Sequence, residues 1–217
     1  MSSLHPRKLP RQSRSKATVE AILDACADTV ARRGYAALTT HAIASRAGVS
    51  VGTLYQYFPN RDAVAGALVV RAMERLLAGM RGALDECVAR RLGEIDGTEH
   101  LLLAGLRVLV DERPAFARLA PEAPHLFQAP RVTQLQAELM HLPQEIRVLS
   151  GERLALPMPE ADAWLIGHMV SASMLQISLL EGPPEQRTAL TRELARLICR
   201  MSLEAPQERD ARKASAA

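Results

Sequence analysis

The sequence predicts an all-α protein: a three-helix N-terminal head followed by a C-terminal helical bundle, about nine helices in total. Three observations predict it. Ala, Leu and Arg dominate the 217 residues, and all three favour helices. Aromatic residues make up only 3%, which disfavours a β-sandwich or barrel, where aromatic and β-branched side chains are enriched. Apolar residues recur at steps of three and four, in runs that end at Gly or Pro. Hydrophobic residues reach 48%, enough for a sizeable core.

Residues 1–14 read as a basic arm carrying His5, Arg7, Lys8, Arg11 and Arg14. Ser15 is placed to cap the first helix, whose buried face is Val19, Ile22, Leu23, Cys26 and Val30. Arg32 and Arg33 complement that helix's C-terminal dipole, and Gly34 supplies a left-handed stop. A short second helix starts after Thr39 or Thr40, uses Ile43, Ala44 and Ala47, and ends at Gly48. Ser50 caps a third, over 51–57, and Phe58-Pro59 breaks it. Asn60 caps a long fourth helix that reaches Leu92.

Gly93 and Gly97 mark a turn, and Thr98 is placed to cap a helix that stops before Pro114. Four prolines in 114–130 predict broken turns and loop. Leu135, Leu139, Leu142, Ile146 and Leu149 stripe the next helix, with a kink expected at Pro143. The last two helices cover 160–181, opened by Pro159, and 185–204. The expected organisation is an arm at 1–14, a head at 15–60, a body at 61–204 and a disordered tail at 205–217.

Charge divides the chain along the same line. Residues 1–60 hold 8 Lys/Arg against 3 Asp/Glu, whereas 61–217 hold 19 against 21. A basic head on a near-neutral body suggests two parts with different partners. Cys26, Cys87 and Cys199 are odd in number and form no CxxC, so they read as buried thiols in a reducing compartment. The basic N-terminus has no apolar stretch behind it, so neither a signal peptide nor a membrane span is expected. The sequence contains no Walker loop, GxGxxG, HExxH or GxSxG, and no histidine pair at metal-ligand spacing. No catalytic residue, cofactor or metal is therefore expected.

The informative stretch is Thr40 to Tyr57. Two short helices meet across a four-residue turn, the plan of a helix-turn-helix. Ala44 is small where the helices cross, Gly48 tolerates positive φ in the turn, and Ile43, Ala47, Val49 and Leu54 lock the pair. On spacing alone, an antiparallel helix pair of a bundle fits too. The outward positions of the second helix separate the two: Ser50, Val51, Thr53, Tyr55, Gln56 and Tyr57 carry hydroxyls, an amide and apolar carbons rather than charges. Hydroxyls and amides reach phosphates and base edges, and apolar carbons reach thymine methyls. Gly52 allows close approach to a DNA backbone. Arg61 is a phosphate candidate or a solvated surface charge.

These residues resemble the DNA-binding head of TetR-like (TetR/AcrR) transcriptional regulators across residues 16–70. The carrying motifs are Ile22-Leu23-Asp24-Ala25, Arg33-Gly34-Tyr35, Leu38-Thr39-Thr40, Ile43-Ala44, Ala47-Gly48-Val49-Ser50, Gly52 through Phe58, and Asn60-Arg61-Asp62. The resemblance implies phosphate contacts from Thr40, Tyr57 and Arg61. It implies base or groove contacts from His41, Val51, Gly52, Thr53, Tyr55 and Gln56. His41 stands where many relatives carry Arg or another polar residue, and Arg61 replaces a commoner Lys. The arm before the first helix reads either as a groove-tracking segment or as a solubilising tail.

The helix at 160–181 is apolar nearly all round, as a helix buried on two sides would be. The resemblance implies that the last two helices form a four-helix bundle with a second copy. Val170, Met174, Ile177, Leu190, Leu194, Leu197 and Met201 are the expected interface, and Gly167, Ser171 and Ser173 would permit close approach. A homodimer would set two recognition helices on pseudo-palindromic double-stranded DNA.

The resemblance also implies an effector site in the body for a small, unidentified apolar molecule. Its candidate liners are His100, Leu103, Phe116, Phe127, Leu139, Trp164, His168 and Met169, a set that suits core packing equally well. The expectation is a dimeric repressor in the bacterial cytoplasm, at the nucleoid when bound and released by its effector. The alternative is a regulator without a small-molecule effector, controlled by a protein partner or by its own abundance.

Overall fold

A computed structural model describes the backbone of residues 13–149 and 160–215, and side chains at 15–140, 142 and 164–201. Among the described residues every regular element is helical. In chain order they are α1 (Ser13–Arg33), α2 (Thr40–Arg46), α3 (Val51–Tyr57), α4 (Arg61–Arg90), α5 (Glu94–Glu122), a 3-10 turn (Pro124–Gln128), α6 (Pro130–Leu149), α7 (Glu160–Leu179) and α8 (Pro184–Ser215). No helix among the described residues is long and apolar enough to cross a membrane. The basic arm up to residue 12, Pro159 and the side chains of Pro143, Ile146 and Leu149 lie outside the described residues.

The chain forms two compact units. The first is Met1–Arg75 with Asp111–Gln136, and the second is Leu76–Val110 with Ala137–Ala217. The first unit therefore takes in more than the head expected at 15–60. Its core joins Ile22, Cys26, Val30 and Leu38 to Ile43, Leu54 and Phe58, then to Val64, Leu68 and Val69 of α4. Ala115, Leu119, Ala123, Leu126 and Val132 complete it. Segment 111–136 covers apolar surface that α1, α2 and α3 leave open. Arg71 of α4 is buried there and donates to Glu20 (2.9 Å) and Asp24 (2.7 Å) of α1. Two carboxylates offset the cost of removing that guanidinium from water.

The core of the second unit holds Leu102 and Leu106 of α5 against Met174 and Ile177 of α7 and Ala195 of α8. A methyl group on Gly167 would lie 2.7 Å from the Met140 sulfur, so its lack of a side chain serves packing against α6 within the same chain. The expected role of Gly167 in approach to a second copy is corrected accordingly. Ser171 turns back to the Gly167 carbonyl at 2.9 Å.

Other boundaries differ from expectation too: α1 begins at Ser13, so Ser15 lies inside the helix and does not cap it. α5 begins at Glu94, so Thr98 sits inside the helix, facing Cys199, and does not cap it. α5 also runs through Pro114 and Pro121 to Glu122. Each proline removes one backbone hydrogen bond, and burial of Ala115 and Leu119 on the same stretch offsets that loss. α8 continues through the expected tail to Ser215, a stretch whose Ala, Glu, Gln, Arg and Lys all favour helix.

Candidate nucleic-acid interface

The α2–α3 pair is built by local chemistry. Thr39 is extended, and its hydroxyl accepts the Ala42 N–H at 3.1 Å, which starts α2. The Ser50 hydroxyl accepts the Thr53 N–H at 3.0 Å and starts α3. Between them Gly48 takes φ +67°, and a methyl group there would meet nothing within 4 Å. The glycine is therefore required by the backbone angle alone. Ile43, Ala44 and Leu54 are buried where the helices cross, with Ala47, Val49 and Val51 packed around them. Asn60 caps α4 through the Ala63 N–H at 2.8 Å. Asp28 of α1 holds Arg46 of α2, and its hydrogen bond from Arg32 keeps its carboxyl below the usual range.

This frame leaves a face of uncharged hydrogen-bonding groups. Tyr55 is 42% exposed, and its hydroxyl lies 3.2 Å from that of Thr40. The hydroxyls of Ser50 and Thr53 lie 2.8 Å apart. His41, Gly52 and Gln56 are exposed, while Val51 and Tyr57 are half-buried against the core. The structure thus pairs Thr40 with Tyr55 and Ser50 with Thr53.

Arg61 has company that spacing does not indicate. Its guanidinium donates to the Leu38 carbonyl at 2.9 Å, lies 5.0 Å from the Tyr35 ring centroid and sits 3.4 Å from Asp62. The Tyr35 hydroxyl donates to Asp62 at 2.6 Å. Burial first, then the Asp62 carboxylate, pushes the acidity of that hydroxyl far down, so it stays a donor. Glu122 accepts the Tyr35 N–H at 2.7 Å. Tyr35 and Asp62 are visible in the sequence as motif residues without a role. Glu122 carries no local signal, because its partner is 87 positions away.

The expected effector liners fall in both compact units. Phe116 and Phe127 pack edge to face at 5.5 Å in the first unit. In the second, His100 bonds Glu86 at 2.8 Å, Leu139 is buried and Leu103 packs on the Leu102–Leu106 core. Trp164 stacks on His168 at 3.9 Å, and both are exposed. Met169 is also exposed.

The expected interface residues divide. Met174 and Ile177 are buried within the chain, and Val170 and Leu194 pack on the same core, whereas Leu190, Leu197 and Met201 are exposed. The exposed large apolar residues of α7 are Trp164, Leu165, Met169 and Leu175, with Leu180 just beyond its end. Met174 and Ile177 keep only 5% and 9% of their surface exposed within the single chain.

Residues 22–68 match the family model described as bacterial regulatory proteins, tetR family. An uncharacterized HTH-type transcriptional regulator of Mycobacterium tuberculosis is 32% identical over 101 residues, covering 46% of this chain and 48% of that one. The chain therefore spans about half the length of the curated relative it matches. The HTH-type transcriptional repressor KstR of Rhodococcus jostii is 42% identical over 55 residues, 25% of this chain and 26% of that protein. The fold matches the fatty acid degradation regulator FadR of Bacillus halodurans with a TM-score of 0.67 at 20% identity, covering 88% of this chain and 96% of that one.

Proposed function

The chain is TetR-like in its head motif and in its fold, and from that premise we propose that it is a homodimeric, sequence-specific DNA-binding repressor released by a small apolar effector. The observation that carries the reading is the outward face of α2 and α3. A capped, rigid helix pair presents hydroxyls, an amide and a glycine where DNA recognition needs donors, acceptors and close approach. Thr40, Tyr57 and Arg61 take phosphates. His41, Ser50, Val51, Gly52, Thr53, Tyr55 and Gln56 take the groove.

The exposed apolar stripe of α7 and α8 supports pairing with a second copy. Trp164 is 60% and Leu197 44% exposed, and side chains of that size gain by leaving water. Two copies would set their recognition helices about one helical turn of DNA, or 34–36 Å, apart. An effector acts only through its different affinity for the bound and released states.

Selection from a random duplex pool tests the reading. The wild-type chain should enrich a pseudo-palindrome whose affinity falls steeply with salt. Failure to enrich any sequence overturns it. Exposure of Trp164, His168 and Met169 within the single chain favours a second reading, a regulator without a small-molecule effector. A panel of apolar compounds that releases the chain from its selected duplex would reject that alternative.

A further inference from the structure

We infer that Glu122 is a positioning residue for DNA binding: its carboxylate, at the end of α5, latches the loop that leads into the helix-turn-helix. The inference rests on the DNA-binding reading above. Glu122 Oε2 accepts the N–H of Tyr35 at 2.7 Å and of Ala36 at 3.3 Å. Successive backbone amides converging on one anion form a cradle of the kind that binds phosphates elsewhere. Here the chain fills that cradle itself, from 87 residues away.

Gly34 is shaped for this contact twice over. It takes φ +77°, and a methyl group on it would stand 2.9 Å from Glu122 Oε1 and 3.0 Å from Oε2. His125 of the 3-10 turn adds an edge contact to the Tyr35 ring at 6.4 Å. The loop is held from its other side by Arg61 at Leu38 and by Asp62 at the Tyr35 hydroxyl. Its last residue, Thr39, caps α2, and the next, Thr40, is a phosphate candidate. Freeing the Tyr35 and Ala36 amides therefore loosens the start of α2 while the buried contacts of α3 stay in place.

The test uses the full chain, with Glu122→Ala and Glu122→Gln, on a duplex that the wild type selects from a random pool. Exchange of the Tyr35 and Ala36 amides is followed in the free protein. Kd is measured on the active fraction. A charge-assisted hydrogen bond at a partly exposed site predicts exchange about three- to tenfold faster in Glu122→Ala, and Kd weaker by a similar factor. Glu122→Gln keeps one acceptor and should lie between. Base preference, salt slope and exchange in the core of α1 should not move, which separates positioning from general destabilisation. If Glu122→Ala does not fold, the glutamine variant decides by the same two readouts. Unchanged exchange, or faster exchange with Kd within about twofold of wild type, overturns the latch while leaving DNA binding intact. A wild type that enriches no duplex overturns both.

Discussion

The outward face of α3 and the outward faces of α7 and α8 are both exposed, but their chemistry is opposite. On α3 the outward side chains are short, hydroxylated or, at Gln56, an amide, and two pairs of hydroxyls already bond each other across the helix start and the α2–α3 crossing. On α7 and α8 large apolar residues are exposed, with Trp164 and Met169 more than half exposed, beside the charged Arg192, Glu193, Arg196 and Arg200 of α8. The first face costs little to leave in water and has donors to offer. The second loses free energy in water and gains by meeting a like surface. An exposed face thus indicates what kind of partner fits it.

The comparison breaks most severely if the frame behind α3 is removed. Leu54 of α3 is fully buried in the head core. Leu54→Ala should lower stability by about 2–5 kcal/mol, read by chemical denaturation, and DNA affinity should fall with it. Unchanged stability would mean that the outward face does not depend on this core.

The apolar face is tested by charge. Leu190→Glu with Leu197→Glu should weaken self-association by about a hundredfold or more while helix content is kept, because both positions are exposed. Sedimentation should then give a mass near 23.7 kDa. Met174→Glu should instead unfold the second unit, since Met174 is only 5% exposed within a single chain. If the double variant still sediments as a dimer, the face belongs to something else.

The two faces also differ in how legible they are in the sequence. The α3 face follows from adjacent residues: Ser50 and Asn60 cap where expected, Thr39 caps at one of the two expected starts of α2, and Gly48 turns where expected. Each of those signals acts within four positions. The α7 face does not follow in this way, because a helix apolar all round has no periodicity to separate its inner side from its outer side. Met174 and Ile177, expected outward, therefore lie inward, while Trp164 and Met169, expected in a pocket, lie outward. Segment 111–136 departs from expectation for a related reason. Its prolines read as local breakers, yet α5 runs through two of them, and its contribution to the head core is set by long-range packing, which has no local pattern.

A finer cut separates side chains within the α3 face. Thr53→Ala or Gln56→Ala should alter base preference by about 1–3 kcal/mol for each base hydrogen bond removed. Gln56 is exposed and lies outside the head core, so the melting temperature of Gln56→Ala should match that of the wild type. A uniform weakening across all sequences would move these residues from base readout to phosphate binding.

The smallest expected effect is the most discriminating, and it concerns Arg61. A pure phosphate ligand would be free in the unbound protein, yet this guanidinium already bonds Leu38 and covers Tyr35. Arg61→Ala should therefore do two separable things. It should reduce the salt dependence of DNA binding by about one unit, the signature of one fewer phosphate neutralised. It should also loosen the 36–38 loop in the absence of DNA. Arg61→Lys restores the charge but not the planar, forked donor geometry, so the salt slope should return while the loop stays loose. If the lysine variant rescues both, the Leu38 bond is incidental. If it rescues neither, Arg61 orders the loop and does not touch phosphate.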